Sequence, residues 1–315
     1  MTAQLIDGVK IAEKIKQEVK SELSGLTAKH GRKPALTAIQ IGENAASRVY
    51  IKNQKASCEE LGITYNLVEL PQDTTEEKAI EKIHSLNADT SVLGIILQMP
   101  VPQYINARNV QARIAPEKDV EGITPPNLGR LFYAGVNPVV APCTALSVIE
   151  CLKSVNIELK GKETIVIGHS EIVGKPVLLM LLSSLNESLT PTVCHIATKD
   201  LAGHASKADI LIVAVGKAGL VTDAMVKEGS IVIDVGINRV PLKDSQGNPV
   251  IDEKTGKSKM KTTGDVNFEE ASKKAAFITP VPGGVGAVTT VLLMKNLLNL
   301  WKQQLGEPGA SYKIL

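Results

Sequence analysis

Apolar residues in the first hundred positions recur with two spacings, one typical of helices and one typical of strands. Between Gly8 and Leu26 they recur at every fourth position, which predicts an amphipathic helix. The run Ala35–Gln40 predicts a strand, and the apolar run Leu93–Leu97 predicts a buried strand. The other elements predicted in this half are a helix over Val49–Leu61, a strand over Tyr65–Leu70 and a helix over Thr75–Leu86. Strands that alternate with helices indicate a parallel sheet.

A second alternation of strands and helices follows a Pro-rich and Gly-rich passage, Ile123–Pro142, that has no clear periodicity. Its predicted elements are strands over Thr164–Ile167, Thr192–His195, Ile210–Val213 and Ile231–Val235, with a helix over Val177–Leu182. Each gap leaves room for one helix, which is typical of a doubly wound sheet. The fold class is therefore α/β, with residues 1–143 and 288–315 in one domain and residues 144–287 in a Rossmann-like domain.

Three later segments carry separate expectations. The polar stretch Pro241–Thr263 predicts an exposed hairpin or loop. The apolar run Val288–Trp301 predicts a helix that packs back on the first domain. The tail Gly306–Leu315 is expected to fray.

Composition narrows the class of partner. The 35 basic and 33 acidic residues are well mixed and give a net charge of +2, so we expect neither a nucleic-acid nor a membrane partner but a small molecule. The N-terminus lacks the apolar core of a signal peptide, which predicts a cytoplasmic protein. Four cysteines without paired spacing and unclustered histidines predict free thiols and no metal site.

The segment Gly168–Gly174, spelled GHSEIVG, lies between a predicted strand and a predicted helix. Small residues there let the backbone approach a pyrophosphate, and a helix N-terminus offers free amides and a positive dipole. Later strands end in Val213–Gly216 and Asp234–Asn238, which again bring small residues to the edge where such sheets hold ligands. These features predict a nicotinamide dinucleotide site, and Gly168→Val is expected to abolish binding while leaving the fold intact.

Seven ordered motifs carry a family resemblance that covers nearly the whole chain. They are YIKNQK (50–55), LQMPVP (97–102), KDVEG (118–122), PCT (142–144), VIGHSEIVGKP (166–176), DVGIN (234–238) and TPVPGGVG (279–286). In this order they resemble the methylenetetrahydrofolate dehydrogenase/cyclohydrolase family. The resemblance implies a homodimer with a folate-binding N-terminal lobe, a Rossmann-like nicotinamide lobe and a cleft between them.

The resemblance also implies roles for individual residues. Tyr50 is similar to the tyrosine that lies against the folate ring, and Gln98 to the glutamine near the reacting carbon. Folate is expected between Tyr50 and the Pro280–Gly286 loop. The implied catalytic residues are Tyr50, Gln54, Gln98 and Glu121. The implied substrate-binding residues are Tyr50, Gln98, Pro100, Glu121, Pro282, Gly283 and Gly286. The implied NADP or NAD site comprises Thr144, Gly168, His169, Ser170, Ile196, Gly216, Ile237 and Thr289.

Two departures from the family pattern concern the substrate site. Gln54 stands where the family has a lysine, and Glu121 stands for the second acid of K-D-V-D-G. Lys52 and Lys55 lie about 200° and 100° away from position 54 on a helix, so neither replaces that ammonium group. Hydride transfer needs mainly alignment of two rings, whereas hydrolysis of the methenyl product needs proton transfer, which an amide cannot supply. Glu121 is expected to keep its charge and to accept hydrogen bonds from the pterin edge.

The cofactor lobe departs from the family as well. His169 stands where an arginine often meets the 2′-phosphate of NADP, and Ile196 where a serine or arginine would assist. No acid follows the strand Thr192–His195 to mark NAD, so the choice between NADP and NAD stays open. We expect a weak preference between NADP and NAD, or a preference that disfavours NADP.

Three hypotheses about function follow. The first is an NAD(P)-dependent oxidation of 5,10-methylenetetrahydrofolate with weak or lost cyclohydrolase activity. The second is a catalytically silent paralogue that binds folate or nucleotide and acts as an interaction subunit. The third is an oxidoreductase that acts on a different one-carbon pterin. The retained glycines favour the first, because random loss of function would not have spared them.

Overall fold

The computed structural model describes residues 2–244, 246–252 and 256–315, and it divides into two compact units. Residues Ala12–Leu146 and Thr289–Ile314 form one, here called the three-stranded unit. Residues Met1–Ile11, Ser147–Val288 and Leu315 form the other, called the six-stranded unit.

The first half of the chain alternates strands with helices and then continues with helices alone. In chain order the elements are β1 (Gln4–Leu5), α1 (Gly8–His30), β2 (Ala35–Ile41), α2 (Ala45–Leu61), β3 (Thr64–Leu70), α3 (Glu76–Ala88), β4 (Gly94–Leu97), α4 (Ala107–Gln111), α5 (Pro125–Arg130) and α6 (Cys143–Ser154). The predicted strands and long helices of this half are present, and their bounds differ by a few residues.

The second half continues with strands, short helices and one long final helix. These are β5 (Glu163–Ile167), α7 (Gly174–Leu181), β6 (Thr190–Cys194), α8 (Leu201–Ala205), β7 (Ile210–Val213), β8 (Ile231–Asp234), β9 (Asn238–Pro241), β10 (Met260–Thr263), α9 (Phe268–Ala271), β11 (Phe277–Ile278) and α10 (Val285–Leu305). Single 3-10 turns lie at Pro116–Lys118 and Asp223–Met225.

The three-stranded unit is built on a parallel sheet in the order β3-β2-β4. Strands β2 and β4 are buried almost throughout, because their apolar residues meet helices. Ile39, Ile83, Ile95 and Leu97 belong to one continuous core between the sheet and α3. This core holds the carboxyl end of β4, where Gln98 follows, in a fixed position.

The six-stranded unit contains a fully parallel sheet in the order β1-β11-β8-β7-β5-β6. The order turns back at β5, whose neighbours β6 and β7 lie on opposite sides. This is the doubly wound arrangement, and ligands of such sheets bind beyond the carboxyl ends of the strands at the turning point. The expected α/β class with a Rossmann-like sheet is confirmed.

Several local expectations need correction. β1 pairs with β11, so the first residues belong with the six-stranded unit, whereas the sequence placed them with the first domain. A two-residue strand is too short to show alternation. The tail does not fray at Tyr312, which is buried and whose amide donates to Pro138 O.

The polar stretch before α9 is a hairpin, as predicted, in which β9 and β10 pair antiparallel. Positions 253–255, which belong to that stretch, lie outside the described residues. Within the described ranges, no helix is long and apolar enough to cross a membrane.

Candidate active site

Gln54 and Gln98 are joined directly in the three-stranded unit. Gln98 follows β4, is 4% exposed, and its backbone amide donates to Ile39 O at 2.8 Å. Its side-chain Nε2 donates to Oε1 of Gln54 on α2 at 2.7 Å. The hydroxyl of Tyr65, on β3, donates to the same oxygen at 3.4 Å. Position 54 is therefore occupied by an uncharged hydrogen-bond acceptor held by two donors.

Tyr50 lies one helical turn before Gln54, so the two side chains share a face of α2. Its side chain is 58% exposed, which is high for a large aromatic residue. Lys52 and Lys55 are exposed, and Lys55 lies 4.0 Å from Glu59. Tyr50 thus offers a free aromatic surface for a planar ligand beside the Gln54 and Gln98 amides.

The KDVEG segment is held rigidly by its first two side chains. The ammonium group of Lys118 donates to the carbonyl oxygens of Leu86, Asn87 and Asp89 at the end of α3. Asp119 accepts hydrogen bonds from the amides of Gly122 and Thr124 and from Asn127 Nδ2. Lys118 and Asp119 are therefore structural, and they fix the backbone on which Glu121 is carried.

Glu121 differs from the expectation that it keeps its charge. Although the residue is part-exposed as a whole, its Oε2 is inaccessible and has no hydrogen-bond partner. Burial raises the pKa of the Glu121 carboxyl to about 8; the nearby Asp119 adds to the shift and Arg108 opposes it. The carboxyl is consequently mostly protonated at neutral pH, because an unpaired charge is costly away from water.

The turn between β5 and α7 in the six-stranded unit is closely packed. Gly168 has a φ of +124°, and a Cβ there would lie 2.3 Å from Ala214 O. A Cβ on Gly174 would lie 2.2 Å from Gly168 O. Ser170 Oγ accepts from the amides of Val173 and Gly174, which orders the start of α7. The turn has the close backbone approach and ordered helix start that a pyrophosphate site needs.

An aspartate pair supports the neighbouring loop after β7, and of its two members the sequence analysis included Asp234, in the DVGIN motif, but missed Asp265. Asp265 Oδ2 accepts from the amides of Val215 and Gly216 at 2.7 and 2.9 Å. Asp234 in turn accepts from the amides of Gly236, Asp265 and Val266. Burial raises the pKa of Asp234 to about 6, and its backbone hydrogen bonds oppose that shift. The sequence signal for Asp265 was a lone acid after the hairpin, which did not reveal these long-range contacts.

Two histidines meet at the same sheet edge, and the sequence analysis predicted a site role for only one of them, His169. His169 follows Gly168 after β5, and His195 follows Cys194 after β6. Their ring centroids are 5.0 Å apart with an angle of 59° between planes. Ile196, next to His195, is 69% exposed.

The remaining expected site residues divide between the units. Ile237 is exposed after β8, and its Cδ1 would lie 3.4 Å from a Cβ on Gly286. Pro282 and Gly283 precede α10 in the same unit. Thr144 and Thr289 belong to the three-stranded unit, as does Pro100, which is exposed two residues after Gln98. In the described part of the chain, no group of three or more His, Cys, Asp or Glu side chains could hold a metal ion.

Fold and site together define a two-unit α/β protein of the dinucleotide-binding class, with a polar and aromatic site in its smaller sheet unit. Family models for the tetrahydrofolate dehydrogenase/cyclohydrolase catalytic domain and NAD(P)-binding domain match residues 6–121 and 142–305. The chain belongs to the tetrahydrofolate dehydrogenase/cyclohydrolase family.

This chain matches several proteins of this family over nearly their whole length. The chain is 44% identical to the bifunctional protein FolD of Sulfurihydrogenibium sp., over 96% of this chain and 99% of that one. The crystal structure of a FolD methylenetetrahydrofolate dehydrogenase/cyclohydrolase from Campylobacter jejuni superposes with a TM-score of 0.84 at 40% identity, covering 96% and 99% of the two chains. The FolD of Trypanosoma brucei, complexed with NADP and an inhibitor, has a TM-score of 0.86 at 35% identity, covering 97% and 99%.

Proposed function

We propose that this chain oxidises 5,10-methylenetetrahydrofolate to 5,10-methenyltetrahydrofolate with NADP or NAD, and hydrolyses the methenyl product weakly or not at all. The first part is supported by two solved structures whose names state this dehydrogenase activity and whose folds match 96% and 97% of this chain. The second part rests on one observation, the uncharged Gln54 amide held by Gln98 and Tyr65.

The six-stranded unit fits a dinucleotide. At Gly168 and Gly174 a Cβ would lie within 2.3 Å of a backbone oxygen, so only glycine allows this tight turn, and Gly216 has a φ of +73° in a loop anchored by Asp265. The turn leads from a buried strand into the N-terminus of α7, whose positive dipole end is suited to a pyrophosphate. When bound, the nicotinamide ring supplies the hydride acceptor, and the chain has only to position it.

The three-stranded unit meets the needs of the oxidation. An exposed Tyr50 ring offers a planar surface for a pterin, and the fixed Gln98 amide offers hydrogen bonds beside it. Alignment of two reactants accounts for much of the barrier lowering in such a step. No group of the chain has to exchange a proton for the hydride to move.

Hydrolysis of the methenyl product makes a different demand. Water must lose a proton as it attacks, and a positioned base with a suitable pKa typically contributes about 10²–10⁴-fold. The Gln54 amide has no titrating proton, and Tyr65 beside it has its pKa raised by burial, so its hydroxyl is a poor base at neutral pH. We therefore expect hydrolysis to be slowed far more than oxidation.

A second candidate, retention of the cyclohydrolase, has one observation in its favour. The Glu121 carboxyl, with its pKa near 8, is a titrating group poised near physiological pH. If it exchanges the proton, hydrolysis should fall in Glu121→Gln as steeply as in Glu121→Ala.

We also propose that the three-stranded unit binds the folate and the six-stranded unit the dinucleotide, and that the protein is a cytoplasmic homodimer. Four buried free cysteines, Cys58, Cys143, Cys151 and Cys194, suit a reducing compartment. Light scattering coupled to size exclusion tests the dimer directly.

The deciding experiment follows two signals with one protein sample. Formation of NADPH or NADH from methylenetetrahydrofolate reports oxidation, and decay of the methenyl absorbance reports hydrolysis. We expect clear oxidation and hydrolysis near the uncatalysed rate. Absence of oxidation with either cofactor would overturn the proposal. Glu121→Ala, compared with the isosteric Glu121→Gln, should weaken folate binding, because donors on the pterin edge lose an acceptor.

A further inference from the structure

The two histidines at the carboxyl edge of the larger sheet occupy equivalent places on neighbouring strands. β5 and β6 are parallel, and Ile167 pairs with Cys194 at their ends. His169 and His195 follow these ends, which brings their ring centroids to 5.0 Å. Both side chains are exposed. Two groups that can each carry a positive charge thus face solvent side by side.

Their location corresponds to a particular part of a dinucleotide, and this step rests on the proposed dinucleotide site. In doubly wound proteins the turn after the first strand holds the pyrophosphate, and the end of the second strand meets the adenine ribose. An acid at that second position accepts the 2′-hydroxyl of NAD, and a basic group accommodates the 2′-phosphate of NADP. β5 and β6 are the first two strands of the doubly wound part of this sheet, so the histidine pair lies where the 2′ substituent would be bound.

The turn that carries His195 is well ordered. The His195 amide donates to Thr198 Oγ1 at 2.9 Å, and the Thr198 amide donates back to His195 O at 2.8 Å. The amide of Ala197 donates to His195 Nδ1 at 3.2 Å. In its neutral form the ring therefore carries its proton on Nε2, which leaves an N–H donor for a ligand.

The charged residues of the adjoining segments do not oppose an anion. Asp200 is engaged at the start of α8, where its carboxylate accepts from the Gly203 amide. The other charged residues of the turns after β5, β6 and β7 and of the first turn of α7 are Glu171, Lys175, Lys199 and Lys217. Three lysines against two acids leave the surroundings of the pair without an excess of negative charge.

We propose that His169 and His195 together bind the 2′-phosphate of NADP, and that this binding depends on their protonation, so that NADP gains over NAD as the pH falls. An imidazolium donates charge-assisted hydrogen bonds that a neutral ring cannot. Two imidazolium rings 5.0 Å apart repel each other, and a phosphate dianion beside them offsets that repulsion. Binding of the phosphate therefore takes up protons.

The phosphate itself sets the lower limit of the effect. A phosphate monoester has its second pKa at about 6, so below that pH the ligand loses negative charge as the histidines gain positive charge. The preference for the 2′-phosphate should accordingly grow as the pH falls toward the second pKa of the phosphate, and decline below it.

The test compares two nucleotides that differ only in the 2′-phosphate, adenosine 2′,5′-bisphosphate and 5′-AMP. Calorimetry at pH 8.5 and 6.5 gives the ratio of their affinities, which cancels titrations elsewhere in the protein. We expect the ratio to favour the bisphosphate by about tenfold more at pH 6.5, the change that one linked proton supplies over part of this range. Repeating the titration in buffers of different ionisation enthalpy should show proton uptake with the bisphosphate only.

Variants assign the effect to the two rings. His169→Gln and His195→Gln should each flatten the pH dependence, and His169→Arg should give a 2′-phosphate preference that no longer varies with pH. His204→Gln, on the exposed side of α8, is the matched control and should keep the wild-type dependence. The histidine proposal is overturned if the affinity ratio of the wild type does not vary with pH, or if the glutamine variants keep the wild-type pH dependence of that ratio. In either case, binding of 5′-AMP would still support the dinucleotide site. Failure of both nucleotides and of NADP and NAD to bind overturns both.

Discussion

Gln98 Nε2 donates a hydrogen bond to Gln54 Oε1 at 2.7 Å, which joins the end of β4 to the middle of α2. A lysine at position 54 would bring three donors to a place where Gln98 now presents a donor of its own. The amide of Gln98 would then have to turn over so that its oxygen faces the ammonium group. The glutamine therefore changes both the charge of the site and the orientation of its neighbour.

The first prediction concerns this position. Gln54→Lys should restore hydrolysis of the methenyl product by about 10²–10⁴-fold, because it supplies a titrating group whose pKa partial burial lowers. Gln54→Met, of similar length and without charge, is the control and should restore nothing. The decay of the methenyl absorbance measures both. If Gln54→Lys alone is inactive, the double variant with Glu121→Asp should recover hydrolysis; fast hydrolysis in the wild type would show that position 54 is dispensable.

The second prediction uses the raised pKa of Glu121. The carboxyl titrates near 4.5 in the unfolded chain and near 8 in the folded one, so between these values the folded state holds the extra proton. Stability that this group contributes is fully present below about pH 4.5 and is lost as the pH rises through about 8. The side chain of Glu121→Gln does not titrate. The free energy of unfolding of this variant, relative to that of the wild type, should therefore rise by a few kcal/mol from about pH 5 to about pH 9. Each tenfold difference in proton affinity corresponds to roughly 1.4 kcal/mol.

Urea denaturation of the wild type and Glu121→Gln at both pH values checks this. The comparison with the variant removes the contribution of Asp234, whose pKa is also raised. An equal difference in stability at the two pH values would mean that Glu121 is ionised in the folded protein at neutral pH.

The third prediction tests the aspartate that anchors the loop after β7. Asp265→Ala leaves the amides of Val215 and Gly216 and the Asn238 side chain without their acceptor. Because hydrogen bonds to charged groups contribute about 1.5–3 kcal/mol each, we expect a loss of stability of at least that order and weaker NADP binding. Asp265→Asn keeps one acceptor oxygen, so its stability and its NADP affinity should lie between those of the wild type and Asp265→Ala. Calorimetry with NADP supplies the affinity, and unchanged affinity in Asp265→Ala would detach this loop from the cofactor site.

The fourth prediction corrects an expectation from sequence. Gly168→Val was expected to remove cofactor binding and preserve the fold, but its φ of +124° and the 2.3 Å approach of Ala214 O allow no side chain. We expect the variant to melt far below the wild type or to fail to fold. Gly219→Ala, at a φ of +62° with no atom within 4 Å of its Cβ, should cost only about 1 kcal/mol. Thermal unfolding followed by circular dichroism compares them, and a melting temperature for Gly168→Val close to that of Gly219→Ala would contradict the packing argument.

The sequence by itself determined the elements that are long or fully apolar. The runs Ile210–Val213 and Ile231–Val235 predict buried parallel strands, because both faces of such strands meet helices, and the structure has strands at Ile210–Val213 and Ile231–Asp234. The motif order determined the family and, residue by residue, the substitutions at positions 54 and 121. α6 went unassigned, because it begins directly after the Pro-rich passage, which the sequence indicates as the irregular end of the first domain.

Only the tertiary structure decided what the substituted residues do. The Gln54 amide faces Gln98 because α2 packs beside the sheet that contains β4, and no spacing in the chain reports that contact. Glu121 is mostly uncharged at neutral pH because burial raises the pKa of its carboxyl and its Oε2 has no hydrogen-bond partner, although its residue type suggested an anion. Asp265 and His195 escaped notice because their partners lie far away in sequence, on neighbouring strands and loops. The local pattern of apolar and polar residues indicates the secondary structure. The charge state of a side chain and its long-range contacts depend instead on burial and on groups that only folding brings together.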